Sequence, residues 1–120
     1  ENVPPHLDTP SRTASGRETR ALNAVARLMT AGLLDHLQVA WTKLPAATVD
    51  LVLRGGADDL GGLLLDGTLM PGAGPESGRV LDAAAVVDIA ARAGRRPRQR
   101  TTRYGVPEPD RQLPLPQVSA

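Results

Sequence analysis

Three helix-spaced apolar patterns alternate with short segments of a different period. Residues 1–14 are polar, contain Pro4, Pro5 and Pro10, and read as a loop. Ser15 stands three residues before Glu18, the spacing at which each side chain can satisfy the other residue's backbone N–H. Leu22, Val25, Leu28 and Met29 then fall on one stripe, and Gly32 offers a left-handed stop. The spacing predicts a helix over about residues 16–31. From His36 the period changes. Leu37, Val39 and Trp41 alternate with Gln38, Ala40 and Thr42, which predicts a strand. Pro45 can open a second helix with Val49, Val52 and Leu53 on one face, closed by Gly55 and Gly56. Residues 57–60 read as a short strand or strand end before Gly61 and Gly62. Residues 66–79 hold four glycines and two prolines and predict a long loop. Asp82 can cap a third helix with Val86, Ile89, Ala90 and Ala93 facing inward, ended by Gly94. Residues 98–102 read as a last strand.

Helix and strand alternate three times, the pattern of parallel strands joined by crossover helices. Three strands make a poor free-standing domain of this kind, because a parallel sheet needs both faces covered. A closed eightfold barrel needs about 200 residues or more, and this chain has 120. The expected fold class is therefore α/β, the final portion of a (β/α) barrel that is incomplete alone. Its expected organisation is a loop at 1–14, a partial barrel segment at 15–105 and a Pro-rich, disordered or extended tail at 106–120. No repeat of fixed period is visible. The first residue is Glu1 rather than Met, which suggests a processed or partial chain.

Composition thins the expected core. Phe is absent, and Trp41 and Tyr104 are the only aromatic residues. Aromatic side chains carry the largest burial energies, so a core of Leu, Val and Ala is a weak one. An incomplete barrel also exposes sheet edges and an apolar helix face, which predicts marginal stability. Cysteine is absent. This chain therefore supplies no disulfide, no thiol nucleophile and no thiolate ligand for zinc or an iron–sulfur cluster. No apolar run approaches the ~18 residues of a membrane span, and no signal-peptide pattern opens the sequence. A cytoplasmic chain without a membrane partner is expected.

The net charge of +1 hides a split. Residues 92–103 carry Arg92, Arg95, Arg96, Arg98, Arg100 and Arg103 with no acid. Such a block could meet an anionic partner, because the guanidinium fork donates two hydrogen bonds at once. The plainer reading is a solvated segment of Arg-rich composition. Readers of nucleic acid usually add aromatic platforms, and only Tyr104 lies nearby, which argues against nucleic acid.

Asp58-Asp59-Leu60-Gly61-Gly62 is the stretch richest in possible chemistry. Two carboxylates sit at a strand end before two glycines, the edge where α/β folds bind ligands. Adjacent strand residues point to opposite faces, so only one of the two is expected to line a pocket. The plainer reading is a polar turn. His6 and His36 stand alone with no second ligand at metal spacing, so no metal site is expected, and His36 reads as a polar strand-edge residue. The glycines form neither G-x-G-x-x-G nor a phosphate-binding loop.

Three segments carry a family resemblance. Gln38-Val39-Ala40-Trp41-Thr42-Lys43-Leu44 resembles the Q-V-S-W-V-K-L strand of the radical SAM deazaflavin-precursor synthases. Gly56-Ala57-Asp58-Asp59-Leu60-Gly61-Gly62 resembles their G-A-N-D-L-G-G segment. Residues 93–105, A-G-R-R-P-R-Q-R-T-T-R-Y-G, are similar to their closing A-G-R-x-P-x-Q-R-T-T-x-Y-G. The three come in family order and cover most of residues 9–105. The resemblance is to the tyrosine-handling half of FO synthase. It implies a radical SAM (β/α) barrel using a 4Fe–4S cluster and S-adenosylmethionine, neither held by this chain alone. It implies L-tyrosine and 5-amino-6-(D-ribitylamino)uracil as substrates, joined through a 4-hydroxybenzyl group in deazaflavin coenzyme biosynthesis. The implied partner is the N-terminal, cluster-bearing part of the barrel, without which this segment is not catalytic. Gln38, Lys43, Asp58, Asp59 and Arg100 are carried over as substrate-pocket residues, with no catalytic residue assigned. Pro45 stands where the family has Gly, and Leu63 where it has Thr. Two alternatives stay open: a non-catalytic remnant or interaction module using the Arg block, and a relative from the futalosine route to menaquinone, whose members usually end R-D-T.

Overall fold

The computed structural model describes residues 14–63 and 80–116. Residues 1–13 of the expected loop at 1–14, the expected loop at 66–79 and the last four residues of the tail lie outside the described residues.

Three helices follow one another along the chain. Helix α1 spans Gly16–Met29. The Ser15 hydroxyl accepts from the Glu18 N–H, and the Glu18 carboxylate accepts from the Ser15 N–H at 2.9 Å, so the predicted capping box forms. The hydrogen bond from the Ser15 backbone holds the Glu18 carboxyl below its ordinary pKa. The helix stops two residues earlier than expected, and Gly32 follows at φ 78°. Helix α2 spans Ala46–Arg54 after Pro45. Gly56 follows it at φ 123°, where its missing side chain lets the Arg27 stem approach. Helix α3 spans Ala83–Arg92. Asp82 caps it by accepting from the Ala85 N–H at 2.8 Å.

Among the described residues the predicted strands keep one paired contact. Gln38 and Asp59 form an isolated parallel bridge, and among the described residues no segment forms a longer ladder. The Val39 N–H donates to the Asp59 carbonyl at 2.8 Å, and the Asp58 N–H to the Leu37 carbonyl at 3.0 Å. The expected alternation survives in burial: Val39 and Trp41 are buried while Gln38 and Ala40 are exposed. The one bridge is parallel. The chain turns at Trp41, which cuts the first strand short, and residues 98–102 run extended into a turn without a ladder partner among the described residues. A strand needs a neighbour to be one, and among the described residues these segments have too few.

The core gathers Val39, Trp41, Val49, Val52, Leu53, Ala57 and Leu81, with Leu37, Leu60, Val86 and Ile89 packed around it. On α3, Val87 is buried, a position not predicted, together with Ala90, while Val86, Ile89 and Ala93 are half-buried. No residue of α1 enters this core or is buried at all.

After Gly105 the chain makes one 3₁₀ turn at Pro109–Arg111 and lies along the body. The Leu113 N–H donates to Gln99 Oε1 at 2.9 Å.

Candidate functional site

The bridge places Asp58 and Asp59 side by side where the chain turns into Gly61-Gly62, and each carboxylate becomes the centre of its own cluster. Asp59 is 8% exposed. Its Oδ1 accepts from the Gly61 N–H at 2.9 Å and from Arg100 Nε at 3.1 Å. Its Oδ2 accepts from an Arg100 terminal nitrogen at 2.6 Å and from the Tyr104 hydroxyl at 2.8 Å. All four acceptor sites of a carboxylate are thereby filled. Asp58 turns the other way. Its Oδ1 accepts from an Arg27 terminal nitrogen at 2.6 Å and from the Leu37 N–H at 2.8 Å, and its Oδ2 lies 2.7 Å from His36 Nδ1. Arg27 also donates to the Gly56 and Asp35 carbonyls, tying α1 to this turn.

Aromatic rings join the two clusters. The His36 and Tyr104 rings stack with centroids 4.2 Å apart and planes 2° from parallel. The Arg100 guanidinium lies over the Tyr104 ring at 4.2 Å, a cation–π contact. The closing T-T-R-Y-G turn sets this geometry. The Thr101 N–H donates to the Gly105 carbonyl at 2.9 Å, and the Gly105 N–H to the Thr101 hydroxyl at 3.0 Å. Tyr104 sits at φ 61°, the sole non-glycine residue in the left-handed region among those described. That conformation carries strain, and strain of this kind persists only where surrounding contacts hold it. Here the hydroxyl bond to Asp59 and the two ring contacts do so.

Electrostatics follow from these partners. Burial pushes the Asp59 carboxyl up, but hydrogen bonds from Arg100, the Gly61 N–H and Tyr104 outweigh it and hold the pKa below the ordinary value. Burial likewise pushes the Asp58 carboxyl up, but the bonds from Leu37, His36 and Arg27 outweigh it and hold its pKa below the ordinary value. The Asp59 carboxylate pushes Arg100 and the Tyr104 hydroxyl up. Both carboxyls thus titrate lower folded than unfolded. Their stabilisation is complete above the ordinary carboxylate pKa of about 4 and disappears as the pH falls through the depressed values. The thermal midpoint, followed by circular dichroism, is expected to drop progressively as the pH falls below about 5. Asp59→Asn should flatten that drop; an equally steep drop in the variant would show that Asp59 does not contribute to it.

Both carboxylates border one cavity of about 360 Å³. Leu53, Leu81, Val86 and Ala90 form its apolar wall, and Arg95, Arg96, Arg98 and Arg100 stand at its polar side with His36 and Tyr104. The expectation that only one carboxylate would line a pocket is therefore corrected. Asp58 lies outside any regular strand, so strict alternation does not govern its direction. Arg100 borders the same cavity. Gln38 borders the turn rather than the cavity: its amide lies where a side chain on Gly61 would be, 2.6 Å from the ideal Cβ position. Lys43 is exposed at the end of the turn after Trp41 and does not line this cavity. Arg27, His36 and Tyr104 were not among the sequence candidates. Tyr104 was visible in the closing motif, whereas nothing local marks Arg27 or His36.

The Arg block is partly spent inside the molecule. Arg92 pairs with Asp50 at 2.9 Å, Arg95 donates to the Ala57 carbonyl, and Arg100 holds Asp59. With its lone pairs filled, Asp59 positions its neighbours rather than abstracting a proton. Among the described residues no group of His, Asp or Glu could hold a metal ion, and no helix is long and apolar enough to cross a membrane.

The family model for the CofH/MqnC C-terminal region matches residues 5–113. FO synthase of Mycobacterium tuberculosis is 41% identical over 107 residues, 88% of this chain and 12% of that protein. The 5-amino-6-(D-ribitylamino)uracil–L-tyrosine 4-hydroxyphenyl transferase of Methanocaldococcus jannaschii is 36% identical over 95 residues, 79% of this chain and 26% of that protein. The enzyme of the same name from Methanoculleus marisnigri is 40% identical over 93 residues, 78% of this chain and 25% of that protein. The chain thus spans about an eighth of the FO synthase and about a quarter of the transferases. No solved structure matches it.

Proposed function

Because the chain belongs to the CofH/MqnC C-terminal region family, we propose that it is the closing segment of an FO synthase-like radical SAM barrel. In this reading the complete enzyme joins a tyrosine-derived 4-hydroxybenzyl group to 5-amino-6-(D-ribitylamino)uracil. The observation that carries it is a convergence. The R-T-T-R-Y-G segment and the G-A-D-D-L-G-G segment, 41 residues apart at Arg100 and Asp59, meet at one carboxylate. Residues far apart in sequence that share a resemblance also share a site.

The cluster chemistry does not belong to this segment. The chain has no cysteine, so it does not fit a 4Fe–4S cluster, and no step is assigned to one here. Its own residues shape and hold. Asp59 fixes Arg100 and the Tyr104 ring; Asp58 fixes His36 and, through Arg27, the end of α1. If His36 Nδ1 donates to Asp58, its Nε2 is left as an acceptor for a substrate group. Asp58, Asp59 and Arg100 thus serve the pocket as positioning groups. Gln38 supports the Gly61 turn, and Lys43 is reserved for whatever the rest of the barrel brings to that face.

The test is reconstitution with the cysteine-bearing remainder of the M. jannaschii relative. The complex is loaded anaerobically with iron and sulfide and given tyrosine, S-adenosylmethionine and the aminouracil. Product that requires both polypeptides is expected. Its absence from a folded, cluster-loaded complex would overturn the reading and favour a non-catalytic interaction module, for which Arg96 and Arg98 at the cavity supply the motive.

A further inference from the structure

Helix α1 turns its polar face to the body and its apolar face to water. Gly16 lies on Thr48 and Leu51, the Arg20 stem on Gly55, and the Arg27 stem on Gly56. Asn23 belongs to the same face at about 3.6 residues per turn. Leu22, Val25 and Met29 fall on the opposite side by the same count. Leu22 is 69% exposed and Met29 75%, and the apolar surface continues past the helix through Leu33 at 81%. An amphipathic helix ordinarily buries its apolar stripe, and among the described residues this one has nothing covering it. A second opening lies at Gln38. The parallel bridge turns its N–H and C=O away from Asp59, and neither meets a backbone partner among the described residues.

We propose that Leu22, Val25, Leu28, Met29 and Leu33 form the seat of the cluster-bearing remainder of the enzyme, a strand-carrying body that also pairs along Gln38. This rests on the functional reading above and deepens it by naming the contact surface. The relatives' length supplies the occupant: some three quarters or more of each lies outside the segment matched here. A second copy of this chain fits poorly. A 14-residue helix presents a strip about 21 Å long and 10 Å wide, so two such strips bury only a few hundred Å², roughly a third of what a stable interface needs. A body that covers the stripe and also pairs the Gln38 edge has the larger footprint required.

The test titrates the full 120-residue chain with the M. jannaschii remainder by calorimetry, using Leu22→Asp and Met29→Asp against Ala84→Asp, an exposed control on α3. Circular dichroism verifies that each variant keeps its helix content. Each stripe variant is expected to weaken binding about 30-fold or more, and the control to leave it unchanged. A complex that tolerates both stripe variants overturns this surface and leaves the functional reading intact. No complex with the unsubstituted chain overturns both. Self-association of the chain that Leu22→Asp abolishes would make a second copy the occupant and overturn the proposal.

Discussion

Asp59→Asn is expected to destabilise the chain by on the order of 3 kcal/mol, the lower end of the range for breaking a buried ion pair. The lower end applies because Arg100 keeps 23% of its side chain open to water. For a chain of this size that lowers the thermal midpoint by roughly 10–20 °C. The substitution keeps the shape and removes the logic. An amide has one acceptor oxygen where the carboxylate has two. On either side its NH₂ would face an Arg100 N–H, which can only donate, beside the Gly61 N–H or the Tyr104 hydroxyl. Tyr104 would then lose the carboxylate to which its hydroxyl donates. A double-mutant cycle with Arg100→Gln separates the pair from the rest. Strictly additive losses would show that the two side chains are not coupled.

Trp41→Ala is expected to cost about 4 kcal/mol, within the range for truncating a buried large aromatic. Trp41 is the largest side chain in a core otherwise made of Val, Leu and Ala. Deleting it opens a cavity that no neighbouring aromatic can collapse into, since Tyr104, the other aromatic residue, is committed to the Asp59 cluster. A domain stabilised by only a few kcal/mol would lose its cooperative transition, which far-UV circular dichroism during heating would show. A midpoint within a few degrees of the parent would place Trp41 outside the stabilising core. Trp41→Phe, which keeps a ring, is expected to lose less.

The helices were legible because each carries its own punctuation. Ser15 and Glu18, Pro45, Asp82 and the glycines that follow act within a few residues of the ends they define. The burial pattern of Val39 and Trp41 was legible for the same reason. The strands were only half legible. Alternation predicts which side chains turn inward, but a ladder is made by a neighbour, and residues 98–102 find none among the described residues. The site divides in the same way. Asp58, Asp59 and Arg100 stand in motifs that can be read one at a time. Arg27 and His36 join through contacts 31 and 22 residues distant, which no local pattern announces. The stripe on α1 was read correctly as a stripe. That it faces outward depends on the small and polar residues opposite it, which let α2 approach closely.

The paired carboxylates also set how the chain would find its structure. Two neighbouring residues tie Arg27, 31 positions upstream of Asp58, and Arg100, 41 positions downstream of Asp59. Helical proteins commonly fold fast because their contacts are local, whereas distant pairings must close their loops before any contact rewards the closure. Here the helices can form early and settle little, since the step that fixes the site is the meeting of three remote segments at one peptide unit. The molecule has the secondary structure of a rapid folder and the wiring of a slow one.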